Sequence, residues 1–170
     1  MAMQEELVRD TLQAAGGEIV GRIRLQKIFY FLEQFGLDSG FNFSYYHYGP
    51  YSEEISATVL RARFADKIVQ EIEKFTAYGT PYSVFTPIEN VTPPARVGNL
   101  SFEKAQALIS EMKSVSSVVL ELAATIHWLK EKEKVADWEG ELQTRKPTKA
   151  SPERRREAIA LLERLVANTH

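Results

Sequence analysis

The sequence predicts a mainly α, α+β fold: a helical domain with one winged-helix-like β-hairpin and a C-terminal helical subdomain. Three patterns predict it. Within residues 24–36, Leu25, Ile28, Phe29, Leu32 and Phe35 recur at intervals of three and four, so they share one side of a 3.6-residue helix that needs a core. Residues 68–88 change to a period of two, with β-branched and aromatic runs on either side of Ala77-Tyr78-Gly79-Thr80-Pro81, the mark of a hairpin. Beyond residue 100 helical spacing returns, first in Val115, Val118, Val119, Leu122, Ile126 and Leu129, then in Ala158, Leu161, Leu162, Leu165 and Val166.

In chain order, residues 4–14 read as a first helix ended by Gly16-Gly17, and residues 18–21 as an extended connector into the central helix. The other side of that helix carries Arg24, Gln26, Lys27, Glu33 and Gln34 and is expected to face water. Gly36 stands where a left-handed residue ends a helix at low cost. After a loop at 37–42, Phe43-Ser44-Tyr45-Tyr46-His47-Tyr48 is too aromatic for a solvated loop. An extended segment beside the central helix is expected there, closed by a Gly49-Pro50 turn. Ser52 reads as the N-cap, with Glu53 and Glu54 in the first turn, of a helix to residue 66 whose apolar side holds Ile55, Val59, Leu60 and Phe64. The loop at 89–100, with Pro93-Pro94, Gly98 and Asn99, divides the chain into 1–90 and 91–170, two parts expected to pack as one compact domain. Ser101 caps a helix to about residue 112, which is expected to pair as a helical hairpin with the stripe from Val115 to Leu129; Lys130-Glu131-Lys132-Glu133-Lys134 then reads as a solvated run. Residues 138–150 read as a polar connector. Ser151-Pro152-Glu153 opens the last helix with an N-cap and a proline at its first position.

The 170 residues are enough for a hydrophobic core without staples. The absence of Cys excludes thiol nucleophiles, thiolate metal sites and disulfides and fits a reducing compartment, so a cytoplasmic location is expected. No apolar run approaches the roughly 18–20 residues of a membrane span, and Met1-Ala2-Met3-Gln4-Glu5-Glu6 lacks the basic start of a signal peptide. The formal net charge is −2, but residues 1–90 hold 8 basic against 12 acidic residues, and residues 91–170 hold 13 against 11. The part that most resembles a DNA-binding fold is therefore the acidic one, which disfavours a nucleic-acid partner.

Residue chemistry alone points to no reaction. His47 lies among Tyr45, Tyr46 and Tyr48, His127 sits beside Trp128, and His170 is terminal, so no two histidines have metal-ligand spacing; packed or half-exposed rings are the plainer reading. Glu53 and Glu54 are adjacent and diverge by about 100° on a helix, which suits capping better than shared acid–base work. Gly16-Gly17 and Gly49-Pro50 lack the context of a phosphate loop. Arg154-Arg155-Arg156, flanked by Glu153 and Glu157, reads as a solvated face. No catalytic residue, cofactor or metal is expected. The tyrosine-rich segment suits either a recognition surface or a wall of the core, since Tyr offers large area with a polar tip.

One resemblance adds to this. Gly17-Glu18-Ile19-Val20-Gly21-Arg22 leads into Arg24-Leu25-Gln26-Lys27-Ile28-Phe29-Tyr30-Phe31, and Tyr46-His47-Tyr48-Gly49-Pro50-Tyr51-Ser52-Glu53-Glu54 follows. With Leu120-Glu121-Leu122-Ala123-Ala124-Thr125-Ile126, Arg145-Lys146-Pro147 and the last helix, this order resembles the YwgA-type branch related to the Panacea (SocA-type) antitoxin domains, across nearly the whole chain. The resemblance implies a mainly helical domain and, for Panacea members, direct binding that neutralises a toxin encoded beside them. The expectation is thus a non-enzymatic protein-interaction module, antitoxin-like, whose partner-binding residues are Arg24, Lys27, Tyr46, His47, Tyr48 and Tyr51. The alternative is a winged-helix transcriptional regulator that holds DNA through Arg61, Arg63 and Lys67 with the hairpin as wing. A hydrolase would need a cleft joining His47 to a carboxylate.

Overall fold

Phe29, Tyr30, Phe31 and Leu32 are four consecutive residues with no measurable exposure, so the central helix is enclosed by protein on every side. A helix that is apolar all round belongs in the middle of a core. The computed structural model describes residues 3–89 and 92–169. The chain runs α1 (Met3–Ala14), β1 (Ile19–Val20), α2 (Arg22–Gln34), β2 (Ser44–Tyr46), β3 (Gly49–Tyr51), α3 (Glu53–Phe64), β4 (Val69–Phe75), β5 (Pro81–Pro87), β6 (Arg96–Val97), β7 (Leu100–Ser101), α4 (Phe102–Lys113) and α5 (Ser117–His127). A π-helical turn at Trp128–Lys132, α6 (Trp138–Arg145) and α7 (Pro152–Ala167) complete it. The fold is mainly α with a small antiparallel β component.

β1, β5 and β4 form one antiparallel sheet in that order, with Ile19 opposite Phe85 and Phe85 opposite Glu71. β2 and β3 make a separate two-stranded ribbon, with Tyr45 opposite Pro50. α2 packs on α5, β3, α4 and β1, α1 covers α3, and α7 closes over α5 and α4. Buried residues from Leu7 to Leu165 join in one cluster, so the two expected parts share a core. Each large side chain brought fully inside contributes roughly 1.5–3 kcal/mol.

Several local expectations give way to the packing. Gln26 and Lys27, assigned to the wet side of α2, are buried, while Phe35 is only partly covered. Gly49-Pro50 lies in β3, and the turn is His47-Tyr48 instead. Ser52 precedes α3, yet its hydroxyl accepts no capping bond and has no partner among the described residues. On α3 it is Ile55, Thr58, Val59 and Ala62 that face the core; Leu60 and Phe64 are exposed. Residues 138–145 are helical, because Asp137 accepts the Gly140 N–H as a cap and Leu142 anchors the turn. α5 packs chiefly on α7 and α2 and not as a hairpin with α4, since its apolar residues surround nearly its whole circumference. Part of the dividing loop, Asn90 and Val91, lies outside the described residues, as does His170.

Gly49 shows how tightly the ribbon approaches α5. Its φ is +87°, and a Cβ there would sit 2.8 Å from Thr125 Oγ1. Gly79, at the hairpin tip, has φ +81° but open space around it. Gly79→Ala is expected to cost about 1 kcal/mol, the backbone penalty alone. Gly49→Ala should cost more, about 2–4 kcal/mol, because an overpacking clash adds to the same penalty. Urea unfolding of the two variants checks this; equal losses would mean that the ribbon yields freely.

Candidate functional site

The ribbon is held by the polar side chains of α2. Gln26 forms a two-point clamp on Ser52, its Oε1 accepting the Ser52 N–H at 2.9 Å and its Nε2 donating to the Ser52 carbonyl at 2.9 Å. One position on, Lys27 Nζ donates to the Pro50 carbonyl at 2.6 Å. Gln26 and Lys27 are buried because β3 and the residue after it take their groups.

Around Lys27 the chain gathers charge from its C-terminal part. Glu121, buried on α5, bonds Lys146 Nζ at 2.9 Å and Lys149 Nζ at 3.0 Å. Lys146 also donates to the His47 carbonyl at 2.7 Å, and Lys149 lies 4.7 Å over the Tyr48 ring. Burial pushes Lys27 down to about 7; Glu121 opposes that shift, and Lys146 and Lys149 add to it. Two amines thus share one carboxylate behind the ribbon, and Lys27 lies within the field of all three. The amine of Lys27 is enclosed and already donating, so it is placed to hold backbone and is shut off from solvent.

In front of Lys27 opens a groove of about 480 Å³ between the start of α2, Tyr48 and Tyr51 of the ribbon, α3 and the sheet. Leu25, Ile55, Val59 and Phe85 make its walls apolar, and Leu60 stands at its edge. At its lip Glu71 accepts from Arg22 Nε and Nη2 at 3.0 and 2.6 Å, from Arg63 Nη1 at 3.0 Å and from Ser83 Oγ at 2.7 Å. Burial alone would raise the Glu71 carboxyl, but the bonds from Ser83 and Arg22 and the charges of Arg22 and Arg63 hold it below the ordinary range.

The sequence-predicted residues are therefore distributed unevenly. Tyr46, His47 and Tyr48 are exposed, and Tyr51 is half-buried with its hydroxyl 2.9 Å from Ser56 Oγ. Arg24 is half-buried and donates to the Met112 carbonyl at 2.9 Å on another side of α2, so it does not join the ribbon surface. Lys27 is beneath that surface. Of the three cations of the duplex reading, Arg61 bonds Glu5 at 2.5 Å and Arg63 bonds Glu71, while Lys67 is exposed where the chain turns with positive φ from α3 into β4. His127 Nδ1 lies 2.7 Å from Tyr30 Oη. Burial lowers His127 to about 4, so the ring stays neutral in its hydrogen bond with Tyr30. Glu71, Leu60, Glu121 and Lys149 carry the geometry of this region without having been singled out. Among the described residues no group of three His, Cys, Asp or Glu side chains is close enough to hold a metal.

No family model matches the chain. It is 28% identical over 144 residues to a protein of Thermus aquaticus named DNA ADP-ribosyl glycohydrolase, a match that takes in 82% of this chain. The chain spans 39% of the length of that relative. This corrects the expectation that the chain stands apart from enzymes: the protein it is similar to is named for a hydrolytic reaction. The spacing of histidines and carboxylates gave no sign of it.

The depressed Lys27 amine makes stability depend on pH in a defined direction. Its ordinary value is 10.5 and its folded value about 7, so between these limits the unfolded chain binds the proton more tightly. Stability should therefore rise with pH across that window, by at most about 1.4 kcal/mol per unit. Lys27→Met should lose this slope. Urea unfolding of both proteins at pH 7, 8 and 9 measures the difference, in which titrations common to the two cancel; parallel curves would show the amine to be solvated.

Proposed function

We propose that this chain is an antitoxin-like protein-interaction module that works in the reversal of DNA ADP-ribosylation and binds a partner protein directly at the ribbon and the adjoining groove. The observation that carries this reading is exposed apolar surface beside a preformed groove. Tyr46 and Tyr48 on the ribbon and Leu60 and Phe64 on α3 are 45–67% exposed, although the elements beneath them are fully packed. Exposed aromatic and aliphatic groups beside a preformed groove are what a protein interface uses for its anchors. The resemblance to YwgA-type and Panacea domains supports direct binding of a protein. The glycohydrolase relative supports the setting, because this chain is similar to 39% of the length of a protein acting on ADP-ribosylated DNA.

A second reading follows from the relative's name: the chain itself takes part in hydrolysis of the bond between ADP-ribose and DNA. The groove would then receive the modified nucleotide. Duplex binding through α3 has less support, since residues 1–90 hold 8 basic against 12 acidic residues.

Mixing the purified chain with the product of the adjacent gene tests the first reading. A complex that survives gel filtration is expected, together with rescue of growth when both are expressed. Tyr48→Ala should weaken the complex tenfold or more, the loss of about 1.4 kcal/mol or greater expected of an anchor. No complex and no rescue would remove the interaction reading. Incubating the same preparation with an ADP-ribosylated oligonucleotide and measuring released ADP-ribose tests the second.

A further inference from the structure

The groove itself restricts what the partner presents. The geometry points to a partner segment that inserts a large apolar side chain between α2 and α3 and places an Asp or Glu carboxylate against Arg22 and Arg63. This inference rests on the protein-interaction reading and specifies its ligand chemistry.

Shape comes first. A space of about 480 Å³, open to solvent on one side, falls within the range of roughly 300–1,000 Å³ for built ligand sites. Its floor is the core itself, Leu25, Ile55, Val59 and Phe85, so it is preformed and does not need the protein to open. Charge comes second. At the lip two guanidinium groups share the single carboxylate of Glu71, which already receives four hydrogen bonds. The lip carries an excess positive charge, and the Arg22 side chain is 74% exposed, with N–H groups left for an incoming acceptor. A neutral apolar ligand would cover these cations without pairing them, whereas a carboxylate completes them as a charge-assisted pair.

The extent of the apolar surface favours a polypeptide over a small metabolite. Leu60, at the edge of the groove, is followed one helical turn on by Phe64, which is 67% exposed and has the Arg63 guanidinium 4.6 Å from its ring centroid. These two lie on one face of α3, Leu60 lining the edge of the cavity and Phe64 outside it. A ligand seated wholly inside the groove leaves Phe64 in water. A segment with two apolar side chains about one turn apart, followed or preceded by an acidic residue, covers both and meets the arginines, in the manner of a helix laid in a groove.

The test is selection from a displayed peptide library with the full chain as bait, followed by fluorescence anisotropy of the labelled consensus peptide. The expected consensus pairs Leu, Phe or Trp at a spacing of three or four with an Asp or Glu. Leu60→Asp should weaken its binding tenfold or more. Arg22→Ala should weaken it severalfold and reduce its dependence on salt, and Arg156→Ala on the exposed face of α7 should leave it unchanged. All three sites are exposed at the surface, and circular dichroism verifies that the variants fold. A consensus without a carboxylate, binding indifferent to Leu60→Asp, or indole-3-acetate bound as tightly as the peptide would each overturn the inference. If the partner complex forms equally well with Leu60→Asp and Arg22→Ala, the groove inference fails and the interaction reading stands; if no complex forms at all, both fail.

Discussion

Gln26 and Lys27 turn one side of a core helix into a receptor for backbone. The Gln26 amide meets the N–H and C=O of Ser52 as another strand would, and the Lys27 ammonium takes the carbonyl of Pro50. A net hydrogen bond is worth only about 1 kcal/mol, but leaving a buried backbone group unmade costs about 1–3 kcal/mol, so the clamp is enforced mainly by the penalty for breaking it. Because Ser52 is the residue before α3, fixing it fixes where that helix begins. The position of α3 in turn sets the width of the groove and the height at which Arg63 meets Glu71.

The back of the ribbon is held by the other half of the chain. Lys146 bridges the His47 carbonyl to Glu121, and Lys149 spans Glu121 and the face of Tyr48. The turn of the ribbon is thereby tied to α5 and to the segment after α6, which joins residues 91–170 to the surface formed by residues 1–90. A buried carboxylate with two ammonium partners offsets its desolvation by pairing, and removing the carboxylate would strand the amines. Burial keeps the neighbouring Lys27 near the edge of protonation, with Glu121 opposing and Lys146 and Lys149 adding to the effect. Its bond to Pro50 does not depend on the proton count, since a neutral amine still donates.

The helices and the hairpin were legible in the sequence because their cues are local: apolar spacing for α2, α5 and α7, a Ser101 cap for α4, a cap with proline for α7, and alternating runs about Gly79 for β4 and β5. What was not legible depended on partners far along the chain. Gln26 and Lys27 look solvated until a ribbon 23 to 26 residues away is placed upon them. A signal was present in Tyr30 and Phe31, which lie off the main stripe and make α2 apolar on a second side, the pattern of a fully enclosed helix. For α3 the error had the opposite sign: Leu60 and Phe64 complete an apolar stripe by spacing, yet α1 and the sheet reach only far enough to cover Ile55, Val59 and Ala62. The short α6 was hidden because a polar helix with one buried leucine has no period to read. Of the surface site, the tyrosines were visible as a cluster, whereas the Arg22–Glu71–Arg63 lip joins residues of α2, α3 and β4 that only the fold brings together.

Total charge and local charge lead to different partners, and the distances decide between them. Residues 1–90 hold 8 basic against 12 acidic residues, a balance that opposes approach to a long polyanion such as duplex DNA. That field is screened within about 10 Å at moderate salt. A ligand already seated in the groove responds instead to groups at contact range, where Arg22 and Arg63 outnumber Glu71. A surface acidic at a distance and basic at the groove discriminates between a long phosphate chain and a short segment with one well-placed carboxylate. Burying the apolar side chain beside that carboxylate excludes water from the pair, which strengthens the contact for the matched segment and penalises one lacking the charge.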